Sequence, residues 1–98
     1  MAVGITKTLD NFVANTYQQF DCNSSLTNIF ICNKVGNIVT VEIQISTAPA
    51  VTSLAKGLKI YPGTTQVVLE NTQFKFTKGK AQIKCDTAGG IGVVYTAS

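Results

Sequence analysis

Chemistry in this chain must be done without imidazole or guanidinium, because its 98 residues include neither histidine nor arginine. Ser–His–Asp and Cys–His nucleophile systems, histidine general-base catalysis and imidazole metal sites are thereby excluded. Bidentate phosphate clamps and arginine readout of guanine fall with them. What remains is eight lysines, five carboxylates, three cysteines and three tyrosines. Cys22, Cys32 and Cys85 match no zinc or redox spacing, and three thiols alone do not complete a tetrahedral zinc site. They are expected to be buried, unpaired and small enough to pack as apolar residues. No glycine-rich phosphate loop occurs, so no nucleotide or other cofactor is expected.

Two groups of charges remain to be weighed. Glu42 and Glu70 lie on the polar sides of two expected strands and could flank a scissile glycosidic bond. Single exposed acids on strands are ordinary, however, and so small a domain has little room for a substrate cleft. The chain is therefore read as non-enzymatic. Lys78, Lys80 and Lys84 share the outward side of another strand, with Lys75 nearby. Such a strip either meets an acidic partner or shields a strand edge from aggregation, for which lysine is the usual device. Tyr61, Phe74, Phe76 and Tyr95 could form a sugar-binding platform, but the alternation of Phe74 and Phe76 favours burial of those two. Asn23-Ser24-Ser25 fits the glycosylation pattern, yet no secretory signal is expected at the N-terminus.

The elements that must position these groups are strands. Thirteen threonines, ten valines and nine isoleucines stand against five leucines, and β-branched side chains favour a pleated backbone. In residues 38–46, Val39, Val41, Ile43 and Ile45 alternate with Thr40, Glu42, Gln44 and Ser46, a period of two with one apolar side. In residues 26–32, Thr27, Ile29 and Ile31 share one side, and Asn28, Phe30 and Cys32 the other. The five residues 33–37 between them read as a hairpin connector. Residues 46–53 read as a loop around Pro49. Leu58 and Ile60 precede Tyr61-Pro62-Gly63-Thr64, a type II turn signature, since only its third position needs positive φ. Val67 and Leu69 share a side of the next strand. Ala81, Ile83 and Cys85 then oppose Lys80, Gln82 and Lys84, residues 86–90 read as a second hairpin, and residues 91–96 close the chain.

The N-terminal segment is less regular. Val3, Ile5 and Leu9 form one side of a strand that Lys7 interrupts. Residues 10–20 read as strand or irregular rather than helix, despite a possible cap at Asp10, because Asn11, Asn15 and Thr16 are poor helix formers. Val3, Ile5, Leu9 and Phe12 belong to a segment too apolar for a free tail; it either completes the core or docks on a neighbour. These four, with Lys78, Lys80 and Lys84, are the candidate interface residues.

One domain over residues 1–98 follows, an antiparallel β-sandwich of seven to eight short strands, immunoglobulin-like or jelly-roll-like, with a small β-barrel as the alternative. A net charge of +3 is too mild for a typical nucleic-acid surface, and no apolar run is long enough for a membrane helix. Expression in a cytoplasm, as a soluble protein, is expected. A carbohydrate- or surface-binding module and a small nucleic-acid-binding barrel are the competing readings.

The succession Ile29-Phe30-Ile31-Cys32-Asn33, Val39-Thr40-Val41-Glu42-Ile43, Tyr61-Pro62-Gly63-Thr64-Thr65, Phe74-Lys75-Phe76-Thr77-Lys78-Gly79 and Ile83-Lys84-Cys85 resembles the small immunoglobulin-like accessory proteins of tailed bacteriophage virions. The resemblance spans roughly residues 26–98. Many such domains carry an acid where this chain has Lys80. What the resemblance implies is a capsid decoration (cement) protein or a small tail component. Its partner would be the major capsid protein or another virion protein, bound in many copies or as a homo-oligomer, without catalysis, small-molecule substrate or membrane.

Overall fold

Alternation of β-branched and polar residues produces nine strands among the described residues, all paired antiparallel. The computed structural model describes residues 5–22, 25–47, 50–69, 74–75 and 79–97, and their side chains apart from 46–47, 50–52, 69, 74–75 and 79. The strands are β1 (Ile5–Leu9), β2 (Gln18–Gln19), β3 (Ser25–Asn33), β4 (Val39–Thr47), β5 (Ala50–Ile60), β6 (Thr65–Leu69), β7 (Phe74–Lys75), β8 (Gly79–Cys85) and β9 (Ile91–Ala97). There is no helix among the described residues. Val3, Pro49, Glu70, Phe76, Lys78 and the Asn23-Ser24 pair lie outside them.

The first sheet runs β1-β9-β3-β6, with β7 also on β3, and the second runs β2-β8-β4-β5. Partners nest about one tip: β4 with β5, β3 with β6 and β7, β2 with β8, β1 with β9. The chain is thus one long antiparallel hairpin, its tip between Thr47 and Ala50, rolled so that successive nested pairs of strands fall in opposite sheets. That is the winding of a jelly roll, not the strand order of an immunoglobulin domain. The sandwich expectation holds; its immunoglobulin-like form does not.

Inward side chains of both sheets make one core. Val39, Val41, Ile43 and Ile45 of β4, with Ala81, Ile83 and Cys85 of β8 beside them in the same sheet, face Ile29 and Ile31 of β3 and Val93 and Tyr95 of β9, all buried. Each fully buried aliphatic side chain contributes about 1.5–3 kcal/mol. Leu26 and Ile29 are both buried despite an odd spacing, because the β3–β9 register slips between Leu26 and Asn28. The bulge re-aims Leu26 to the inside.

Three connections differ from the sequence reading. Residues 33–37 and 86–90 are not hairpins; each carries the chain from one sheet to the other. Both flanking strands bury one side whichever sheet they join, so period-two patterning does not distinguish the cases. The deciding group is Asn33, buried at the end of β3. Its Nδ2 donates to the carbonyls of Asn37 and Ile60, each at 2.8 Å, and its Oδ1 accepts from Val35 N at 2.8 Å. Those bonds fold the connector over onto the second sheet. At the other crossover, Gly90 is packed so tightly that an added Cβ would lie 3.0 Å from Thr87 and 3.1 Å from Val39. The third correction is at 46–53, where β4 continues to Thr47 and β5 begins at Ala50. By contrast, Tyr61-Pro62-Gly63-Thr64 turns as expected: Gly63 has φ 75° and Thr64 N donates to Tyr61 O at 3.2 Å.

Residues 10–21 are irregular apart from β2. Asn11 and Asn15 adopt positive φ (55° and 57°), which breaks any helix. Phe12 and Phe20 enter the core, and Phe20 packs edge-on to Tyr95 at a centroid distance of 4.9 Å. Asn15 N and Phe20 N donate to the carbonyls of Cys85 and Ala81, both at 2.8 Å, so this segment covers the outer edge of β8.

Candidate functional site

The outer side of the second sheet is polar and largely self-satisfied. Gln82 Nε2 donates to Gln44 Oε1 at 3.0 Å across the β8–β4 ladder. In the next row Lys84 Nζ lies 3.9 Å from Glu42 Oε1 and 4.9 Å from the centre of the Tyr17 ring. Burial, followed by the Glu42 charge, pushes the Tyr17 phenol above its ordinary range. Opposite Glu42, β5 carries the two residues Lys56 and Gly57, a bulge made possible by φ +67° at Gly57. The bulge opens a shallow depression lined by Thr40, Glu42, Lys56, Lys84 and Asp86. Its carboxylates are already engaged, since Asp86 Oδ1 accepts from Thr40 N at 3.1 Å and from Thr87 Oγ1 at 3.0 Å.

The outer side of the first sheet is different in kind. Register places Thr8, Val94, Phe30 and Val67 in one row across β1, β9, β3 and β6. Thr6, Thr96 and Asn28 form the row on one flank, and Gly92, Cys32 and Thr65 the row on the other. None of these ten residues is a lysine or a carboxylate. Val94 and Val67 are 43% and 40% exposed, and Phe30 is half-buried between them. The central row spans three inter-strand gaps, about 14 Å.

Among the described side chains of this sheet and its border, charges appear at the rim, and in pairs. Lys34 Nζ reaches Asp10 Oδ1 at 2.7 Å beside Gly92, and Lys7 Nζ reaches Asp21 Oδ2 at 2.8 Å. The Lys34 hydrogen bond, then the Asn11 amide, holds the Asp10 carboxyl below its ordinary range, and the Asp21 hydrogen bond raises the Lys7 ammonium. The interruption of the β1 pattern by Lys7 has its explanation here: the residue points to the core side at an open edge, and its amine emerges to meet Asp21.

The residues singled out from sequence are dispersed. Ile5 is 64% exposed at the start of β1, Leu9 is packed against the core, and Phe12 is core, so the segment mainly completes the sandwich. Lys80 is exposed, whereas Lys84 is engaged by Glu42 and Tyr17, so they do not act as one free strip. The edge of β8 that the lysines might have shielded is covered by residues 15–20. Tyr95 is buried and Tyr61 is exposed, which dissolves the proposed aromatic platform. The cysteines are unpaired as expected, but Cys32 is exposed and Cys22 half-buried; only Cys85 is buried. Cys32 follows the outward side of β3, opposite Ile31, where the register puts no neighbouring side chain across at Gly92.

The Val94–Phe30–Val67 row escaped the sequence reading, although a signal was present. Val67-Val68 and Val93-Val94 are adjacent apolar pairs, and in a strand such a pair must place one member on each side. Compared with protein-family models, with curated proteins and with solved structures, the chain finds no match.

Proposed function

We propose that this chain is a non-catalytic structural protein of a virion, a capsid decoration (cement) protein or small tail component that attaches to a repetitive protein lattice. The observation that carries the reading is the uncharged outer side of the first sheet, with the apolar row Val94–Phe30–Val67 at its centre on a rigid ladder. Such a surface suits contact with protein, where aromatic and aliphatic groups at the centre and polar groups at the rim are the common arrangement. Among its described side chains it offers no unpaired lysine for phosphate and no cluster of exposed aromatics for sugar stacking. Jelly-roll winding is also used by viral coat domains, a support by fold analogy only. Modest contacts of this size gain strength when many copies bind one lattice.

Co-sedimentation with purified phage heads and tails, tested separately, decides the matter. Attachment is expected to persist above about 0.3 M salt, where charges are screened within roughly 6 Å. Val94→Lys is expected to weaken it by about tenfold or more, the equivalent of about 1.4 kcal/mol. Attachment lost at high salt and abolished by Lys80→Gln would move the contact to the second sheet. No attachment to any particle at low salt overturns the virion reading.

A further inference from the structure

Among the described residues five strands end the two sheets; β7 is two residues long and carries Lys75, and three of the other four are also protected against pairing with another chain. β1 has Lys7 at its centre, β2 is two residues long, and β5 carries Lys56, Lys59 and the Gly57 bulge. The fourth, β6, reads Thr65-Gln66-Val67-Val68-Leu69, without charge, proline or glycine. Among the described residues, nothing pairs with its outer edge.

The direction of its backbone groups can be fixed. Asn33 N donates to Thr64 O at 3.3 Å, so the Thr64 carbonyl points to β3. Strand alternation then turns the amide and carbonyl groups of Thr65 and Val67 outward, and those of Gln66 inward. The outward Val67 carbonyl accepts from the Gln66 side chain at 3.2 Å, a local substitute for a ladder partner. The Ile29/Phe30 register shift falls beyond this stretch, leaving 65–67 regular.

We infer that β6 pairs antiparallel with β6 of a second copy of this chain, about a two-fold axis at Gln66. Thr65 of each copy then lies opposite Val67 of the other, and the outward groups of those two residues exchange four main-chain hydrogen bonds. Gln66 meets its own counterpart in the closer, non-hydrogen-bonded position. Symmetry and local charge favour a second copy as occupant, since the outward groups of Thr65 and Val67 are self-complementary about Gln66 and no like charges meet there. Each copy carries +3, and β6 is the end strand of more than two residues at which two copies meet without bringing strand lysines together. Continuity favours it as well: the Val94–Phe30–Val67 row of one copy runs on into Thr65, Cys32 and Gly92 of the other, joining two uncharged surfaces into one. The inference stands apart from the virion reading, since no particle enters its test.

Sedimentation equilibrium between about 10 μM and 1 mM reads the dimer by mass action. Wild type is expected to pass from monomer to dimer across that range. Val67→Lys, which sets an ammonium beside the axis, and Thr65→Pro, which removes an outward amide at the first position of the strand, are each expected to weaken dimerisation at least tenfold. Val94→Lys, on the same side but two strands inward, is expected to leave the dimer intact. Amide exchange supplies a readout independent of any variant: the Thr65 and Val67 amides of wild type should slow as concentration rises. A wild type that stays monomeric at 1 mM, or those two amides exchanging at one rate throughout, overturns the inference. So does a Val67→Lys protein that folds and dimerises like wild type. Loss of the dimer in Val94→Lys would show face-to-face stacking in place of edge pairing.

Discussion

The two outer sides of the sandwich are written in the same alternating pattern and yet have opposite characters. On the second sheet the outward positions hold Thr40, Glu42, Gln44, Lys80, Gln82 and Lys84, and they satisfy one another through the Gln82–Gln44 bond and the Lys84–Glu42 pair. On the first sheet they hold Thr6, Thr8, Asn28, Phe30, Cys32, Val67, Val94 and Thr96, and among the described side chains the nearby ions are the rim pairs Lys34–Asp10 and Lys7–Asp21. Because the rim pairs cancel, the positive excess among the described residues lies with Lys56, Lys59, Lys75, Lys80 and Lys84 against Glu42 and Asp86, and all of these but Lys75 of β7 belong to the second sheet or its connections. The lesson is that solubility and contact have been assigned to separate sheets. A charged surface resists association, and an uncharged one with a central apolar row permits it.

That division concerns surfaces alone, so both sheets should depend equally on what lies beneath them. Ile31→Ala under the uncharged side and Ile43→Ala under the charged side are each expected to cost about 2–5 kcal/mol in urea denaturation. Thr8→Ala and Thr40→Ala, their outward counterparts, should each cost less than about 1 kcal/mol. Equal losses at inward and outward positions of either sheet would erase the distinction between face and core.

The second effect tests the hinge between the two sheets. Asn33→Ala removes three hydrogen bonds at once and leaves the carbonyls of Asn37 and Ile60 and the amide of Val35 to find other partners. About 1–3 kcal/mol is the expected loss, from desolvated groups left unpaired. Asn37→Ala, where only the backbone takes part, should be close to neutral. A neutral Asn33→Ala would mean that the crossover is set by strand packing alone.

These two residues also mark where sequence reading succeeds and where it stops. Ile43 is readable because a run of Val39, Val41, Ile43 and Ile45 against polar neighbours has one physical solution, a strand with one buried side. The turn at Pro62-Gly63 is readable because its φ requirement is local. Asn33 is not readable in this way: its effect depends on Ile60, distant in sequence, and the same five-residue connector suits a hairpin or a crossover. The uncharged side was half visible. Phe30 stood opposite Ile29 and Ile31, but only the register of β9 and β6 reveals that Val94 and Val67 flank it. The engagement of Lys84 was not legible for a related reason, since neither Glu42 nor Tyr17 is near it in sequence.

The thiols distinguish the two sides without any mutation. Cys32, exposed on the uncharged side, should react with a disulfide reagent first. Cys22 should follow more slowly, because burial and then the Asp21 charge push its thiol above the ordinary value. Cys85, buried with its Sγ donating to Thr87 O at 2.9 Å, should react only on unfolding. Since all three are free, reductant should leave the melting temperature unchanged. Fast reaction of Cys85 would place it outside the core.

The smallest expected effect is the pH dependence. Asp10 is held below its ordinary pKa by Lys34, so the stability it contributes is present above about pH 4 and is lost as pH falls through its lowered folded value. Lys7 is raised by Asp21, so its contribution is present below about pH 10 and is lost as pH rises through the raised value. Both pairs are exposed, and exposed pairs contribute little. Cys22 and Tyr17 act in the same direction as Lys7: their folded forms resist ionisation, so the unfolded chain releases these protons first and gains on the native state above about pH 9. With no histidine, nothing near neutrality links folding to proton binding. The melting temperature should therefore be flat between about pH 5 and pH 8.5, dip slightly on the acid side and fall more steeply on the alkaline side. Cys22→Ala should soften the alkaline fall. A steeper acid limb, removed by Asp10→Asn, would instead make the rim pairs the dominant charges and would tie the uncharged side to its border more tightly than their exposure implies.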